Sequence, residues 1–266
     1  MSLYRARPEH GVAWITGASS GIGREVALRL AKDGWRVAVT ARSAEKLDDM
    51  ARSATGFKGE IIPAPGDATE ETAMVRLVRS LEEEHGPSSL ALFVAGNYWP
   101  VHGESPDLEK FRKTYDINLF GVLNGLVPVA QAMRSRGRGH IGIVGSVSAY
   151  GGLPLASAYG GSKAAVNYLA QSLKFDFDKM NIRLQVFNPG FVDTPLTEQN
   201  KFPMPFLMRT GDAAARIVDG LGRGGFETAF PRRFAFLLKL VNLLPWSLYF
   251  PVMSRAMGWN RRPLRD

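Results

Sequence analysis

Short, nearly unbroken apolar runs alternate along this chain with longer stretches in which apolar residues return every three or four positions. The first run, "VAWIT" at 12–16, passes through "GASSGIG" into "REVALRLAKDG", which has helical spacing and ends on Gly34. "RVAVTA" at 36–41 predicts a second strand, and "SAEKLDDMARSA" at 43–54 a helix with Ser43 as its N-cap. The alternation continues with a strand at 60–65, a long amphipathic helix at 69–86, a buried strand at 89–96 and a mostly helical stretch at 107–137. A strand at 140–146, a helix at 157–177 and a strand at 182–190 complete it. With no repeat and no linker, this pattern predicts an α/β architecture, a doubly wound parallel sheet covered by helices on both faces. One domain over 1–231, with a substrate lid at about 195–210, is expected to carry an apolar, basic extension at 232–266.

Composition narrows the chemistry. There is no cysteine, which excludes disulfides and thiolate catalysis, and the four histidines (His10, His85, His102, His140) form no metal-ligand motif. His102 and His140 are expected in loops or at the surface. The net charge of +8 is uneven. Residues 221–266 hold eight Arg and Lys against Glu227 and Asp266, so the body is nearly neutral and no nucleic-acid partner is expected. The start, "MSLYRARPEH", has no apolar run of the secretory kind, and a cytoplasmic chain is expected.

In doubly wound sheets ligands bind beyond the carboxyl ends of the strands. The glycines, Asn97, Ser146 and Asn188 all fall at such ends. "TGASSGIG" at 16–23 joins the first strand to the first helix. Gly17 permits the tight turn, while Gly21 and Gly23 let backbone approach a pyrophosphate and let helix pack on strand. Ser19, Ser20 and Ile22 complete this dinucleotide loop. An acid usually holds a ribose 2′-hydroxyl near the end of the second strand, but none occurs from Val37 to Ala44. Arg42 and Ser43 stand there instead, and a guanidinium suits a 2′-phosphate, so NADP is favoured over NAD. The alternative for Arg42 is an ordinary surface cation. Asp67 either hydrogen-bonds an adenine amino group or caps the following helix. Tyr159 and Lys163, four apart, share one helix face, yet Gly160 and Gly161 between them weaken that helix.

These segments resemble the short-chain dehydrogenase/reductase family. The matches are "TGASSGIG", "AG" at 95–96, "DINLFG" at 116–121, "GSVSAYGG" at 145–152, "YGGSK" at 159–163 and "NPGFVDT" at 188–194, in family order over about residues 10–222. The resemblance implies a Rossmann fold, a homodimer or homotetramer, and a catalytic tetrad of Asn118, Ser146, Tyr159 and Lys163. It also implies that Ala95 and Gly96 border the cofactor, and that Pro189, Gly190, Val192 and Thr194 hold its nicotinamide end. Tyr159 would exchange a proton with a substrate oxygen, with Lys163 lowering its pKa and holding the nicotinamide ribose. Ser146 would bond the carbonyl oxygen, and Asn118 would hold a water in a relay with the lysine. Ser148, two residues past Ser146, is read as structural. Gly160 and Gly161 would let cofactor or a partner-subunit helix press on their helix, unless the helix is merely weak. The family's Asn-Asn-Ala-Gly is "FVAG" here; Phe93 and Val94 are expected to change stability rather than chemistry.

Substrate contacts are expected from Tyr98, Trp99, Tyr150, Phe202 and Phe206, an apolar lining suited to a small lipophilic carbonyl or alcohol, though these aromatics also suit packing of the lid. In the extension, residues 232–259 are apolar but interrupted by Lys239, Asn242, Pro245 and Pro251, which predicts two short helices broken near Pro245. They would pack over the substrate mouth or a partner subunit, or rest peripherally on the cytoplasmic membrane face; a true span is the remaining alternative.

Overall fold

The computed structural model describes residues 3–198 and 204–263. Seven parallel strands form one sheet in the order β3-β2-β1-β4-β5-β6-β7. They are β1 (Val12–Thr16), β2 (Arg36–Thr40), β3 (Glu60–Pro63), β4 (Ser88–Phe93), β5 (Gly139–Val144), β6 (Ile182–Pro189) and β7 (Glu227–Phe230). β1, β4 and β5 are buried along their whole length, which is why they read as continuous apolar runs. The chain reverses its direction across the sheet between β3 and β4, so the connections leaving the paired carboxyl ends of β1 and β4 turn to opposite faces and open a crevice there.

Helices cover both faces. On one side lie α1 (Gly21–Lys32), α2 (Ala44–Ser53) and α8 (Thr210–Arg223), which bury Val26, Leu30, Leu47, Met50, Ile217 and Leu221. On the other lie α3 (Glu71–His85), α5 (Gly121–Ser135) and α6 (Ser157–Lys179), which bury Met74, Val78, Leu126, Val129, Val166 and Phe177. The predicted helix at 107–137 is divided: α4 (Leu108–Tyr115) runs into a π-helical turn, Asp116–Phe120, before α5. A short α7 (Pro195–Glu198) precedes α8. Phe202 and Lys201, expected in the lid, lie outside the described residues.

Neither β7 nor α8 was expected. β7 has four residues and forms only as an edge against β6, so its pattern is too short to signal a strand. The extension does form two helices, α9 (Arg232–Val241) and α10 (Trp246–Ala256), with Pro245 as the N-cap of the second. Phe234 and Ala235 of α9 are buried against Val147, with Tyr150 and Phe191 beside them. Among the described residues no helix is long and apolar enough to cross a membrane.

The departure at "FVAG" has a packing basis. Phe93 is buried edge-on to Trp14 (centroids 5.6 Å apart), and Gly125 of α5 makes room, since a Cβ there would lie 2.7 Å from the Phe93 ring. The backbone N–H groups of Val94 and Ala95 donate to Thr16 Oγ1 at 3.2 and 3.4 Å. Apolar packing and a threonine therefore steady the end of β4 without an asparagine.

Candidate active site

The crevice holds a cleft of about 940 Å³. Its floor is made by backbone without side chains. Gly17 has φ +67, and a Cβ on it would sit 2.6 Å from the Ala95 backbone. A Cβ on Gly21 would lie 3.3 Å from Thr194 Cγ2, so the loop after β6 closes directly onto the β1–α1 turn. Ser20 begins α1 without spending its side chain as a cap, and the helix N-terminus, with its partial positive charge, opens on the cleft.

Most of the expected cofactor residues are brought together here: Gly17, Ser19, Ser20, Gly21, Ile22, Gly23, Arg42, Ser43, Asp67, Ala95, Gly96 and Thr194 all line the cleft, as does Trp99. At the end beyond β2, Arg42 is joined by Lys46, and neither makes an ion pair among the described residues. Ser43 Oγ accepts the Lys46 N–H at 3.4 Å, so it caps α2 as expected. Asp67 is not the N-cap of α3, which is Glu70; its Oδ1 instead accepts from the Thr69 N–H and hydroxyl at 2.9 and 2.8 Å.

At the opposite end stand Tyr159 and Lys163. Ser146, buried beside the cleft, hydrogen-bonds the Tyr159 phenol and also accepts from Ser148 N–H and Oγ at 3.1 and 3.0 Å. Ser148 thus orients Ser146, in keeping with a structural role. Lys163 is buried, and its Nζ donates to the Val144 carbonyl at 2.8 Å. Asn118, on the π-helical turn, is fully buried: Oδ1 accepts from Asn97 N–H at 2.7 Å, and Nδ2 donates to Asn97 O and to Ser162 Oγ, both at 3.0 Å. Gly96 fits between Asn118 and Lys163, where a Cβ would be 3.2 Å from Asn118 Oδ1 and 3.4 Å from Lys163 Nζ. The Asn118 side chain is thereby committed to the 96–97 turn and to α6.

Burial dominates the electrostatics. It pushes the Tyr159 phenol above its ordinary 10.0, with the Ser146 hydrogen bond pulling the other way. It lowers the Lys163 ammonium to about 8. The expected lowering of the tyrosine by Lys163 is not seen: the ammonium lies 5.9 Å from the centre of the phenol ring and is turned to Val144. Tyr98 packs edge-on to Tyr159, centroids 5.3 Å apart, and burial with that neighbour pushes its own hydroxyl up to about 12.

The glycines of α6 have a local explanation. A Cβ on Gly161 would lie 2.6 Å from the Tyr115 hydroxyl, and one on Gly160 would lie 3.2 Å from the Ser148 carbonyl. Within the chain, the elements that press on the helix at these glycines are α4 and the Ser146 loop.

Other expected residues lie around the cleft rather than in its lining. Pro189 ends β6, and Gly190 bonds back to Phe230 O at 2.7 Å. Val192 is buried, bridges to Met208, and accepts from Thr194 and Thr197 hydroxyls at 3.3 and 2.7 Å. Tyr150 donates its hydroxyl to Glu227 at 2.6 Å, facing the extension. Phe206 is half exposed against Phe234. His140 is not at the surface: it is buried in β5, bonded to Gln185 at 2.8 Å, and held neutral with its pKa lowered to about 4 by burial. Lys46, Lys113 and Ser162 were missed, while Asn97, expected at a strand end, lines the cleft. Lys46 carried a signal, lying one helical turn past Arg42; Ser162 carried none.

A Rossmann-type crevice of this kind, with a serine–tyrosine–lysine group at one end, defines a nucleotide-dependent oxidoreductase. The family model described as "short chain dehydrogenase" matches residues 11–203. An uncharacterized oxidoreductase of Myxococcus xanthus is 34% identical over 244 residues, 92% of this chain and 96% of that protein. The 2,3-dihydro-2,3-dihydroxybenzoate dehydrogenase of Bacillus subtilis is 34% identical over 192 residues, covering 71% of this chain and 72% of that one. A crystal structure of a short-chain type dehydrogenase/reductase from Mycobacterium marinum superposes with TM-score 0.75 at 27% identity, covering 82% of this chain and 93% of that one. An alcohol dehydrogenase of the archaeon Thermococcus sibiricus complexed with 5-hydroxy-NADP shares the fold, with TM-score 0.74 and 24% identity over 83% of this chain and 95% of its own. The chain belongs to the short-chain dehydrogenase family and is an NAD(P)-dependent dehydrogenase/reductase.

Proposed function

We propose that this enzyme exchanges a hydride between NADP(H) and the carbonyl or secondary alcohol of a small hydrophobic substrate. The observation that carries the reading is the polarity of the cleft: Arg42 and Lys46 at one end, and Tyr159 with Ser146 and Lys163 at the other. The cradle fits a dinucleotide: the cleft of about 940 Å³ is lined by the N-terminus of α1, and glycines at 17, 21 and 96 let the Ala95 backbone, Thr194 and Asn118 close up around it. Arg42 and Lys46 would hold a 2′-phosphate, and the N-terminus of α1 the pyrophosphate.

When bound, the nicotinamide would supply or accept the hydride and, in its oxidised form, bring a positive charge close to the phenol. In reduction, Tyr159 gives its proton to the substrate oxygen as the carbonyl carbon gains the hydride; oxidation runs the same transfers backwards. Burial keeps the phenol protonated at neutral pH, the form reduction needs, and makes it a weaker acid, which the Ser146 hydrogen bond partly offsets. The Ser146 hydroxyl donates to the same oxygen as charge grows on it. Lys163, whose ammonium is turned to the Val144 carbonyl, would hold the nicotinamide ribose and steady the loop after β5 beside the phenol. Asn118 positions the 96–97 turn and α6 around this group.

A hydrophobic substrate is supported by Tyr98 against Tyr159, by Trp99 in the cleft, and by Phe191, Phe206 and Phe234 beside the Ser146 loop. A homodimer or homotetramer is supported by Val127 of α5 and by Tyr168 and Phe175 of α6, all exposed on that face. The test is hydride transfer with NADPH and NADH against lipophilic ketones, aldehydes and alcohols. Tyr159→Phe is expected to lower turnover by ~10²–10⁴ while leaving dinucleotide affinity nearly unchanged. Full turnover in that variant would refute the assignment.

A further inference from the structure

The α9–α10 extension shows the solvent an apolar surface that a globular body does not need. Leu243 is 80% exposed, Phe236 68%, Trp246 62% and Phe250 61%, and Leu237, Leu240 and Leu248 are each about half exposed. Their burial is one-sided: Phe234, Ala235, Tyr249 and Met253 turn inward, with Leu238 packed beside the first two. The Trp246 and Phe250 rings stack, centroids 5.7 Å apart, as a compact aromatic tip. Contiguous apolar surface of this kind marks an interaction site.

Charge identifies the partner. Between residues 232 and 263 there are six Arg and Lys and no acidic residue. Lys239 is paired with Glu227, and Arg262 faces Glu104. Arg232, Arg233, Arg255 and Arg261 make no ion pair among the described residues. A second copy seated on this face would bring eight such arginines together with no counter-charge from the same segment. An anionic lipid surface satisfies both halves of the pattern, taking the apolar side chains below its headgroups and the guanidinium groups among its phosphates.

We propose that the α9–α10 extension docks this enzyme on an anionic membrane surface, lying in the interface without crossing it. The extension is joined to the catalytic loop: Tyr249 donates its hydroxyl to Gly152 O at 3.0 Å, and Tyr150 and Lys239 meet on Glu227. Docking therefore holds the Ser146 loop against the bilayer, the phase in which a lipophilic substrate concentrates.

The test is co-sedimentation of the full chain with phosphatidylcholine vesicles, with and without phosphatidylglycerol, at low and high salt. Binding does not depend on turnover, so it fails or succeeds separately from the proposed reaction. The full chain is expected to pellet with phosphatidylglycerol vesicles at low salt and to be released at high salt. Each cation near an anionic surface contributes a factor of about five, so Arg232→Gln with Arg233→Gln should lower partitioning by about 25-fold. Leu243→Ser with Trp246→Ser, both at exposed positions, should lower it at least tenfold with an unchanged thermal midpoint. Unchanged partitioning in either double variant overturns the proposal, as does equal binding to phosphatidylcholine alone. A chain that stays in the supernatant also overturns it; if the Leu243 and Trp246 variant then turns a dimer into a monomer, the occupant is a second copy.

Discussion

Replacing Lys163 by methionine is expected to stabilise the enzyme while removing its activity. In the folded chain the ammonium is buried, and its pKa falls from 10.5 to about 8. That displacement corresponds to a penalty of roughly 3 kcal/mol for holding the charged form near neutral pH. Methionine has similar length and no charge to desolvate. It also removes the 2.8 Å hydrogen bond to the Val144 carbonyl, and an unsatisfied buried acceptor costs about 1–3 kcal/mol. The net expectation is a gain of about 0–2 kcal/mol, or a rise of up to a few degrees in Tm. The pH dependence is the sharper check. Between about pH 8 and 10.5 the unfolded chain still carries the Lys163 proton that the native chain has lost. Wild-type stability must therefore rise with pH across that window relative to the variant, and the gap between them must close. Urea unfolding of both proteins near neutral pH and near pH 10 measures it. A variant that is less stable than wild type at neutral pH, or a gap that does not change with pH, would show that the lysine is not strained by its burial.

The other expectations concern the cleft ends and the joints around them. Arg42→Ala and Lys46→Ala should each weaken NADPH by about 1.5–3 kcal/mol, roughly 10- to 150-fold, and leave NADH unchanged; fluorescence titration with both nucleotides reads the difference. Burial alone would raise the Glu227 carboxyl, but hydrogen bonds from Lys239, Tyr150 and Asn188 hold it below its ordinary 4.5. Its contribution is therefore present above pH 4.5 and lost as pH falls through the depressed value. Hydrogen exchange should show α9 loosening in acid in the wild type, and already loosened at neutral pH in Glu227→Gln. Gly161→Ala should destabilise by about 1–3 kcal/mol in spite of the better helix former, because its Cβ falls 2.6 Å from the Tyr115 hydroxyl. Tyr115→Phe in the same chain should restore most of that loss in urea unfolding.

The strands and most helices were legible because parallel strands buried on both faces are runs of apolar residues, and helices covering them must repeat at 3.6. β7 was not, because four residues carry no period and the strand exists only by pairing with β6. At the site, the residues that act through main-chain geometry were legible: Gly17 and Gly21 announce a turn that only glycine adopts. Residues that act by position in space were not. Lys46 reaches the cleft because α2 starts beside Arg42, and Ser162 reaches Asn118 because the π-helical turn directs that asparagine toward α6. His140 misled for the same reason: a histidine in a motif-free stretch gives no sign that Gln185 of the neighbouring strand will satisfy it.

The places where this sequence breaks local rules converge on one point. A helix is interrupted by a π-helical turn at Asp116–Phe120, another carries two successive glycines, and a lysine is buried without an ion pair among the described residues. Each departure weakens its own element, yet each serves the same contact. The π turn delivers Asn118 to Ser162 and the 96–97 backbone; the glycines let Tyr115 and the Ser148 carbonyl close on α6; α6 in turn holds Tyr159 beside Ser146 and Lys163 beneath Gly96. Regular elements would pack better and leave these groups apart. Locally unfavourable structure is tolerated where the surrounding fold over-determines it, and here the over-determination comes from β4 and β5, buried along their whole length, and from the apolar face of α5. The stability given up in α6 and at Lys163 is thus confined to the carboxyl ends of the central strands, where the proposed proton transfer takes place.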